Sequence, residues 1–174
     1  DSAVPLFLVS ISKYMSDPCH LPGLLDDLTP AEVQMCDLIL QEATPGSEYQ
    51  FKSNCHPRVV LRVFAQFLAS IPTPSIITFE VRALLRNLLR APATASLAQL
   101  TTLLSELPAL NRQVLLEVAH IIGMVCENTR FNLCKPISVC AQFAEILLAE
   151  EYSSVLEDGS QDESSPEAQL LLRL

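Results

Sequence analysis

The sequence is poor in the residues that tight loops and large aromatic cores require. Among its 174 residues there are no Trp and only 4 Gly, and aromatic residues make up 6% of a chain that is 49% hydrophobic. So few glycines leave little material for a glycine-rich loop that would cradle phosphates. A hydrophobic content this high excludes a disordered or collagen-like chain, and an aliphatic core is typical of packed helices. We therefore predict an all-α domain with one sizeable core.

Basic residues are also scarce, since 11 Lys and Arg face 20 Asp and Glu, for a net charge of -9. Nucleic acid requires a basic surface, so we expect no nucleic-acid partner. The deficit is uneven along the chain. Residues 1–57 carry 2 bases and 8 acids, residues 58–130 carry 7 and 4, and residues 131–174 carry 2 and 8. The middle of the chain is therefore slightly basic.

Long hydrophobic runs and a disulfide framework are missing as well. The longest apolar stretches, such as residues 118–126, are short for a membrane span, and no secretory signal pattern is visible. The 6 cysteines have no compact spacing that would indicate disulfides. We expect reduced cysteines, no direct membrane insertion and a cytoplasmic location.

Proline and capping residues divide the chain into helices. Thr29 and Glu32 flank Pro30 in a capping-box pattern, which predicts a helix as far as about residue 43. Asn54 is the predicted cap of the next helix, which the sequence IPTP at 71–74 ends. No repeat of fixed period appears, which disfavours an armadillo or HEAT array. We expect a single domain over residues 1–174, as a fragment of a larger protein. Further helices are predicted at 4–15, 75–90, 96–107, 108–126 and 137–150. An acidic Ser-rich loop at 151–165 and a truncated last helix at 166–174 should follow them.

Two Cys-His pairs are the only candidate metal ligands that the sequence suggests. Cys19 precedes His20, and Cys55 precedes His56. Neither pair has the ligand spacing of about two to four residues that zinc sites usually show. Ordinary loop residues are therefore the favoured interpretation, and we expect no metal and no cofactor.

Arginines recur at helical spacing in the middle of the chain. Arg58 and Arg62 are one turn apart, and Arg82, Arg86 and Arg90 share one helix face. Such a face is either a docking strip for an acidic partner or phosphorylated lipid head, or an ordinary solvated surface. We favour the solvated surface.

Several segments in order resemble the RhoGAP domain. LPALNR at 107–112, Asn132 one long helix later, and a final helix ending in ILL at 146–148 match the family patterns LPxxNR, NKM and NLAxxFxPxLL in order and spacing. Upstream, VPLFL at 4–8 and the IPTP turn resemble the family's first helix and its LPEPL turn. The resemblance covers about residues 4–150. It implies an all-α, RhoGAP-like bundle of about seven to nine helices.

The resemblance also implies that the catalytic residues are missing. An active RhoGAP domain inserts an arginine from a loop reading roughly GIFR, and this arginine stabilises charge on the transferred phosphoryl group. The comparable loop here carries carboxylates, which would repel phosphate. The family's lysine falls on Ala65, and its second asparagine falls on Ser138. We therefore expect a domain without GTPase-activating (GAP) activity, whose finger loop reads Gly23, Leu24, Leu25, Asp26, Asp27.

Within the family, the chain most resembles the C-terminal RhoGAP-like domain of Lowe-syndrome-type inositol polyphosphate 5-phosphatases. The likeness rests on NCH at 54–56, FLASIPTPSII at 67–77, the stretch 99–108, and ILL at 146–148. It implies binding of a small GTPase of Rho or Rab type and of helical adaptor peptides, with recruitment to endosomal or plasma membranes. The candidate partner-binding residues are Arg58, Arg62, Arg82, Arg86, Arg90 and Asn132.

Two alternatives stay open at the level of sequence. The domain could be an active GAP that uses an unaligned arginine, for which Arg58 and Arg62 are the candidates. It could also be an unrelated helical scaffold whose pattern only mimics the family.

Overall fold

A computed structural model describes residues 5–43, 46–71, 76–78, 80–84 and 97–148. Within these ranges the chain forms helices and no strand, which confirms the predicted all-α class and the expected number of helices. A 3-10 helix covers Pro18–His20, and residues 80–84 are also helical. The predicted segments 151–165 and 166–174 lie outside the described residues. The α-helices with full bounds are α1 Leu6–Met15, α2 Pro30–Glu42, α3 Pro57–Ser70, α4 Leu97–Ser105, α5 Ala109–Glu127, α6 Thr129–Asn132 and α7 Pro136–Leu148.

The predicted capping box starts α2. The backbone N–H of Glu32 donates to Thr29 Oγ1 at 3.4 Å, and the Thr29 N–H donates to Glu32 Oε2 at 2.9 Å. Pro30 takes the first helical position, where its missing N–H has no cost. The helix therefore begins at the residue that the sequence pattern indicates.

The predicted cap of α3 was wrong. His56, rather than Asn54, is the N-cap, and its Nδ1 accepts a hydrogen bond from the Arg58 N–H at 3.3 Å. The reason is Pro57, which opens the helix and forces the preceding residue into an extended conformation. His56 accordingly has φ -76 and ψ 137, and Asn54 lies in the turn before it.

The core is aliphatic around α5, as the composition predicts. Helix α1 packs against α5, α3 packs against α2 and α7, and α5 also packs against α7. Val118, Ile121 and Val125 of α5 are fully buried. The rings of Phe64 and Phe143 join α3 to α7, with centroids 4.9 Å apart.

Helix α5 is long and apolar enough, by length and composition alone, to cross a membrane. This differs from the sequence-based expectation, which considered only uninterrupted apolar runs. A central core helix passes the same test, and the fully buried residues of α5 are those that face its neighbours in the bundle.

Most of the remaining aromatic residues form one cluster on α1. The ring of Phe7 lies 5.9 Å from Tyr49, 6.1 Å from Phe51 and 5.1 Å from Phe67, between centroids. The hydroxyl of Tyr14 donates to the Cys55 carbonyl. The segment between α2 and α3, which the sequence predicts only as a loop, is therefore fastened to α1 by aromatic side chains.

We expect Phe64→Ala to lower the free energy of unfolding by about 3–5 kcal/mol, because it leaves a cavity beside Phe143. Phe131→Ala is the matched control, since Phe131 is 66% exposed, and it should change stability by less than about 0.5 kcal/mol. Urea denaturation followed by circular dichroism measures both values. Equal effects of the two substitutions would contradict this description of the core.

Candidate partner-binding cleft

The loop of residues 23–27, here called the cleft loop, forms a cleft with α3 and α7. The cleft has a volume of about 140 Å³. Ligand pockets for cofactors and drug-sized molecules usually measure about 300–1,000 Å³, so this one has room for a side chain rather than a nucleotide. Its walls are Leu24, Leu25, Asp26, Asp27, Leu28, Arg58, Leu61, Arg62 and Gln142.

The conformation of the cleft loop depends on Gly23. Its φ is +78, and a Cβ atom there would lie 2.7 Å from Asp26 Oδ2. The Asp26 N–H donates to the Gly23 carbonyl at 3.3 Å and closes the turn. Leu24 is buried in the core, whereas Asp26 and Asp27 are exposed. The loop is thus anchored at one residue and offers two carboxylates to the solvent.

Arg58 is committed to an ion pair within the protein. Its Nε donates to Glu32 Oε1 and its Nη2 donates to Glu32 Oε2, each at 2.8 Å. The paired guanidinium, helped by the capping bonds from Thr29, lowers the pKa of Glu32 to about 2, and the same pairing raises the pKa of Arg58. This bidentate contact ties α2 to α3.

Arg62, one turn further along α3, is in a different situation. Its side chain is exposed, and within the part of the chain that the structure describes it makes no hydrogen bond or ion pair. Its positive charge counteracts part of the rise that burial causes in the pKa of Cys36. Arg62 is therefore the cleft arginine that a partner can reach.

Asn132, predicted as a partner-binding residue, is instead 1% exposed. Its Nδ2 donates to the Cys19 carbonyl at 3.0 Å and to the Val125 carbonyl at 2.7 Å, and its Oδ1 accepts from the Cys134 N–H at 2.9 Å. A partner cannot contact this side chain in the folded domain. Asn132 holds the 3-10 helix and the end of α5 against the segment before α7.

Cys134 connects this buried amide to the cleft loop. Its thiol donates to the Asn132 carbonyl at 3.7 Å. Burial raises the pKa of this thiol, and the nearby backbone of Leu24 and Leu25 opposes part of that rise. Sequence reasoning missed this role, because no pattern along the chain indicates that residues 24 and 134 meet. Cys134 therefore lies between the cleft loop and Asn132, to which its backbone N–H donates a hydrogen bond.

Of the other three arginine candidates, Arg82 alone lies among the described residues. Arg82 is 6% exposed, and its Nη2 donates to the Ile77 carbonyl at 3.4 Å. It therefore lies on neither a docking strip nor a solvated face. Arg86 and Arg90 lie outside the described residues.

The positions matched to the family's lysine and second asparagine do not join the walls of the cleft. Ala65 is buried in the core on α3, and Ser138 is half-buried near the start of α7. Leu61 and Gln142, on the same two helices, line the cleft instead.

The two Cys-His pairs take separate structural roles. Cys19 is buried, with its Sγ 3.3 Å from Asn128 Nδ2, and Cys55 is buried with its Sγ 4.0 Å from Met35 Sδ. His56 caps α3, as described above. Among the described residues there is no group of three or more His, Cys, Asp or Glu placed to hold a metal ion, and all six cysteines are free thiols.

A scan of protein-family models and a search of curated protein sequences both find no match to this chain.

We expect the Arg58–Glu32 pair to make stability depend on pH. The pKa of Glu32 in the folded state, about 2, lies below the ordinary value of roughly 4.3 in the unfolded chain. The contribution of this carboxylate is therefore complete above about pH 5 and is lost as the pH falls toward 2. Glu32→Gln should be less stable than wild type at neutral pH, and urea titrations should show the difference narrowing as the pH falls.

Glu48→Gln is the control for that experiment, because Glu48 lies on an exposed loop without an ion pair among the described residues. A difference between Glu32→Gln and wild type that stays constant from neutral to acidic pH would contradict the role of the ion pair.

We expect Asn132→Ala to lower the free energy of unfolding by about 2–3 kcal/mol. The substitution leaves the buried backbone groups that bond Asn132 without hydrogen-bond partners. Asn132→Asp is nearly isosteric but replaces the amide donor with an oxygen that faces two carbonyls. It should be at least as destabilising as alanine when measured by urea denaturation at neutral pH. Full stability of Asn132→Asp would show that the two donated hydrogen bonds contribute little.

Proposed function

We propose that this chain is a catalytically inactive RhoGAP-like interaction domain that binds a small GTPase of Rho or Rab type, a helical adaptor peptide, or both. The supporting observation is the composition of the cleft. The loop that the family resemblance matches to the arginine-finger loop lines it, and that loop carries Asp26 and Asp27 where an active domain needs an arginine. Carboxylates at this position would repel a nucleotide's phosphates instead of stabilising them.

The size and charge of the cleft support a role in binding a macromolecule. A space of about 140 Å³ suits one inserted side chain, and both Arg62 and the two aspartates border it. Charges of both signs at the rim favour a specific orientation of the partner more than raw affinity. Leu25, 36% exposed, adds apolar surface at the same place.

The cellular setting belongs to the same proposal and rests on the family resemblance. In it the domain is a cytoplasmic part of a larger membrane-trafficking or signalling protein. Its partner brings it to endosomal or plasma membranes, without direct insertion of the domain into the bilayer.

An active GAP is the second candidate, and one observation favours Arg62 as its catalytic residue. Arg62 is exposed at the cleft, whereas the guanidinium of Arg58 is held by Glu32. A working arginine finger raises the rate of GTP hydrolysis by a factor of about 10³ to 10⁵, so even a poorly placed one would be measurable.

The test combines a pull-down against GTP-loaded Rho and Rab GTPases and helical adaptor peptides with a single-turnover hydrolysis assay. We expect binding of at least one partner and no acceleration of hydrolysis. Arg62→Ala and Asp26→Asn should weaken binding about 5-fold to 100-fold, as loss of a directed polar contact does. Arg130→Ala, at an exposed arginine outside the cleft walls, is the matched control and should bind normally.

Three results would contradict the proposal in different ways. Acceleration of about a hundredfold or more that Arg62→Ala removes would establish the active GAP instead. Binding that all the variants retain would exclude the cleft as the contact site. Absence of any binding would favour the unrelated helical scaffold.

A further inference from the structure

Two cysteines meet where α5 packs against α7. Cys126 lies in the last turn of α5 and is half-buried, and Cys140 lies in α7 and is 1% exposed. The Sγ of Cys126 is 4.0 Å from the carbonyl oxygen of Pro136, one turn before Cys140 on the same helix. Each thiol also influences the pKa of the other. The two residues are 14 positions apart in sequence and lie on helices that pack together.

We propose that Cys126 and Cys140 form a redox-active dithiol, which a hydroperoxide converts into a disulfide that joins α5 to α7. The Cys126 thiol already reaches α7 one turn from Cys140, so a shift of the side chains and helices would bring the two sulfurs to bonding geometry. Neither residue belongs to the cleft walls, so this site is independent of the proposed function.

The environment gives the two thiols different roles. The interaction with the Cys140 thiol lowers the pKa of Cys126, against the opposing effects of burial and of the Glu127 carboxylate. The same interaction, together with burial, raises the pKa of Cys140. Because the thiolate is the nucleophile and access is required, Cys126 is the residue that reacts first and Cys140 is the one that resolves.

The reaction balances with one molecule of hydrogen peroxide, the simplest hydroperoxide. The Cys126 thiolate attacks a peroxide oxygen, the O–O bond breaks, and the leaving hydroxide takes up the proton that Cys126 released. Cys126 is then a sulfenic acid. The Cys140 sulfur attacks the Cys126 sulfur, the S–O bond breaks as the S–S bond forms, and water leaves with the Cys140 proton. The two thiols lose two electrons, and the peroxide gains them.

The other cysteines are less suited to this chemistry. Burial raises the pKa of Cys19, Cys55 and Cys134, and it raises that of Cys36 to about 11. Cys134 is the nearest competitor, since the charge of Cys126 influences its titration. Its thiol already donates a hydrogen bond to the Asn132 carbonyl at 3.7 Å.

Oxidation would close the segment between the two cysteines into a covalent loop. That segment contains α6 with Asn132, and it contains Cys134, which lies beside the cleft loop. A disulfide restricts the unfolded chain, so the oxidised domain should melt several degrees higher than the reduced one.

The experiment treats the reduced full chain with hydrogen peroxide, blocks the remaining thiols, and maps the digest by mass spectrometry. We expect a cross-linked peptide pair containing Cys126 and Cys140, lighter by two hydrogen atoms than the separate peptides. Cys126→Ser should abolish it and leave Cys140 unmodified. In Cys140→Ala, a dimedone probe should capture Cys126 sulfenic acid about tenfold more than in wild type, because the resolving thiol is gone. Cys36→Ala, as control, should form the cross-link normally.

Circular dichroism confirms that each variant is folded. If Cys140→Ala does not fold, Cys126→Ser at the half-buried position still decides the question. A dominant bond between Cys126 and Cys134, equal dimedone capture in wild type and a folded Cys140→Ala, or unchanged oxidation of Cys140 in Cys126→Ser would overturn the proposal.

Discussion

The buried amide of Asn132 decides how one end of the domain is arranged. An amide that loses water is costly unless its hydrogen bonds are replaced, and here both donors and the acceptor have protein partners on three different segments. Because the Asn132 side chain forms all three hydrogen bonds at once, the position of the turn after α6 is fixed. The next residue, Leu133, adopts φ 60, which is unfavourable for a leucine. The energy of the buried hydrogen bonds compensates for that strain, and the turn then delivers Cys134 to the back of the cleft loop.

Two arginines one turn apart show how the same residue type serves different ends. Arg58 and Glu32 satisfy each other while Glu32 also caps α2, so one carboxylate joins a helix start to a neighbouring helix. Arg62 has no such partner in the described structure and faces the solvent at the cleft. The helical spacing is common to both. The difference comes from α2, because its Glu32 reaches Arg58 but does not pair with Arg62.

The sequence predicts the long helices well and the three-dimensional contacts poorly, for physical reasons. Apolar periodicity and the Thr29 capping box are local, and both correctly locate helices. Asn54 was a wrong cap because the effect of Pro57 on the residue before it outweighs the intrinsic preference of asparagine. The one-turn helix α6 is too short to show periodicity. Arg82 and Asn132 are buried by residues that are distant in sequence. The local sequence pattern therefore does not indicate that these two polar side chains are buried. The sequence shows which residues make up the cleft loop, but it does not predict that this loop lies beside Cys134.

The shallow burial of α2 bears on how the cleft can change shape. Only Cys36 and Ile39 of this helix are buried, whereas α3 buries eight residues. Few buried apolar contacts mean a low free energy for local opening, and such helices detach before the rest of a domain unfolds. The cleft loop leads into α2, so one wall of the cleft is continuous with a long helix that buries only two residues. Widening the cleft for a bulky side chain therefore requires a hinge-like release of α2 from α3 that breaks the Arg58–Glu32 ion pair, while the core around α5 stays intact.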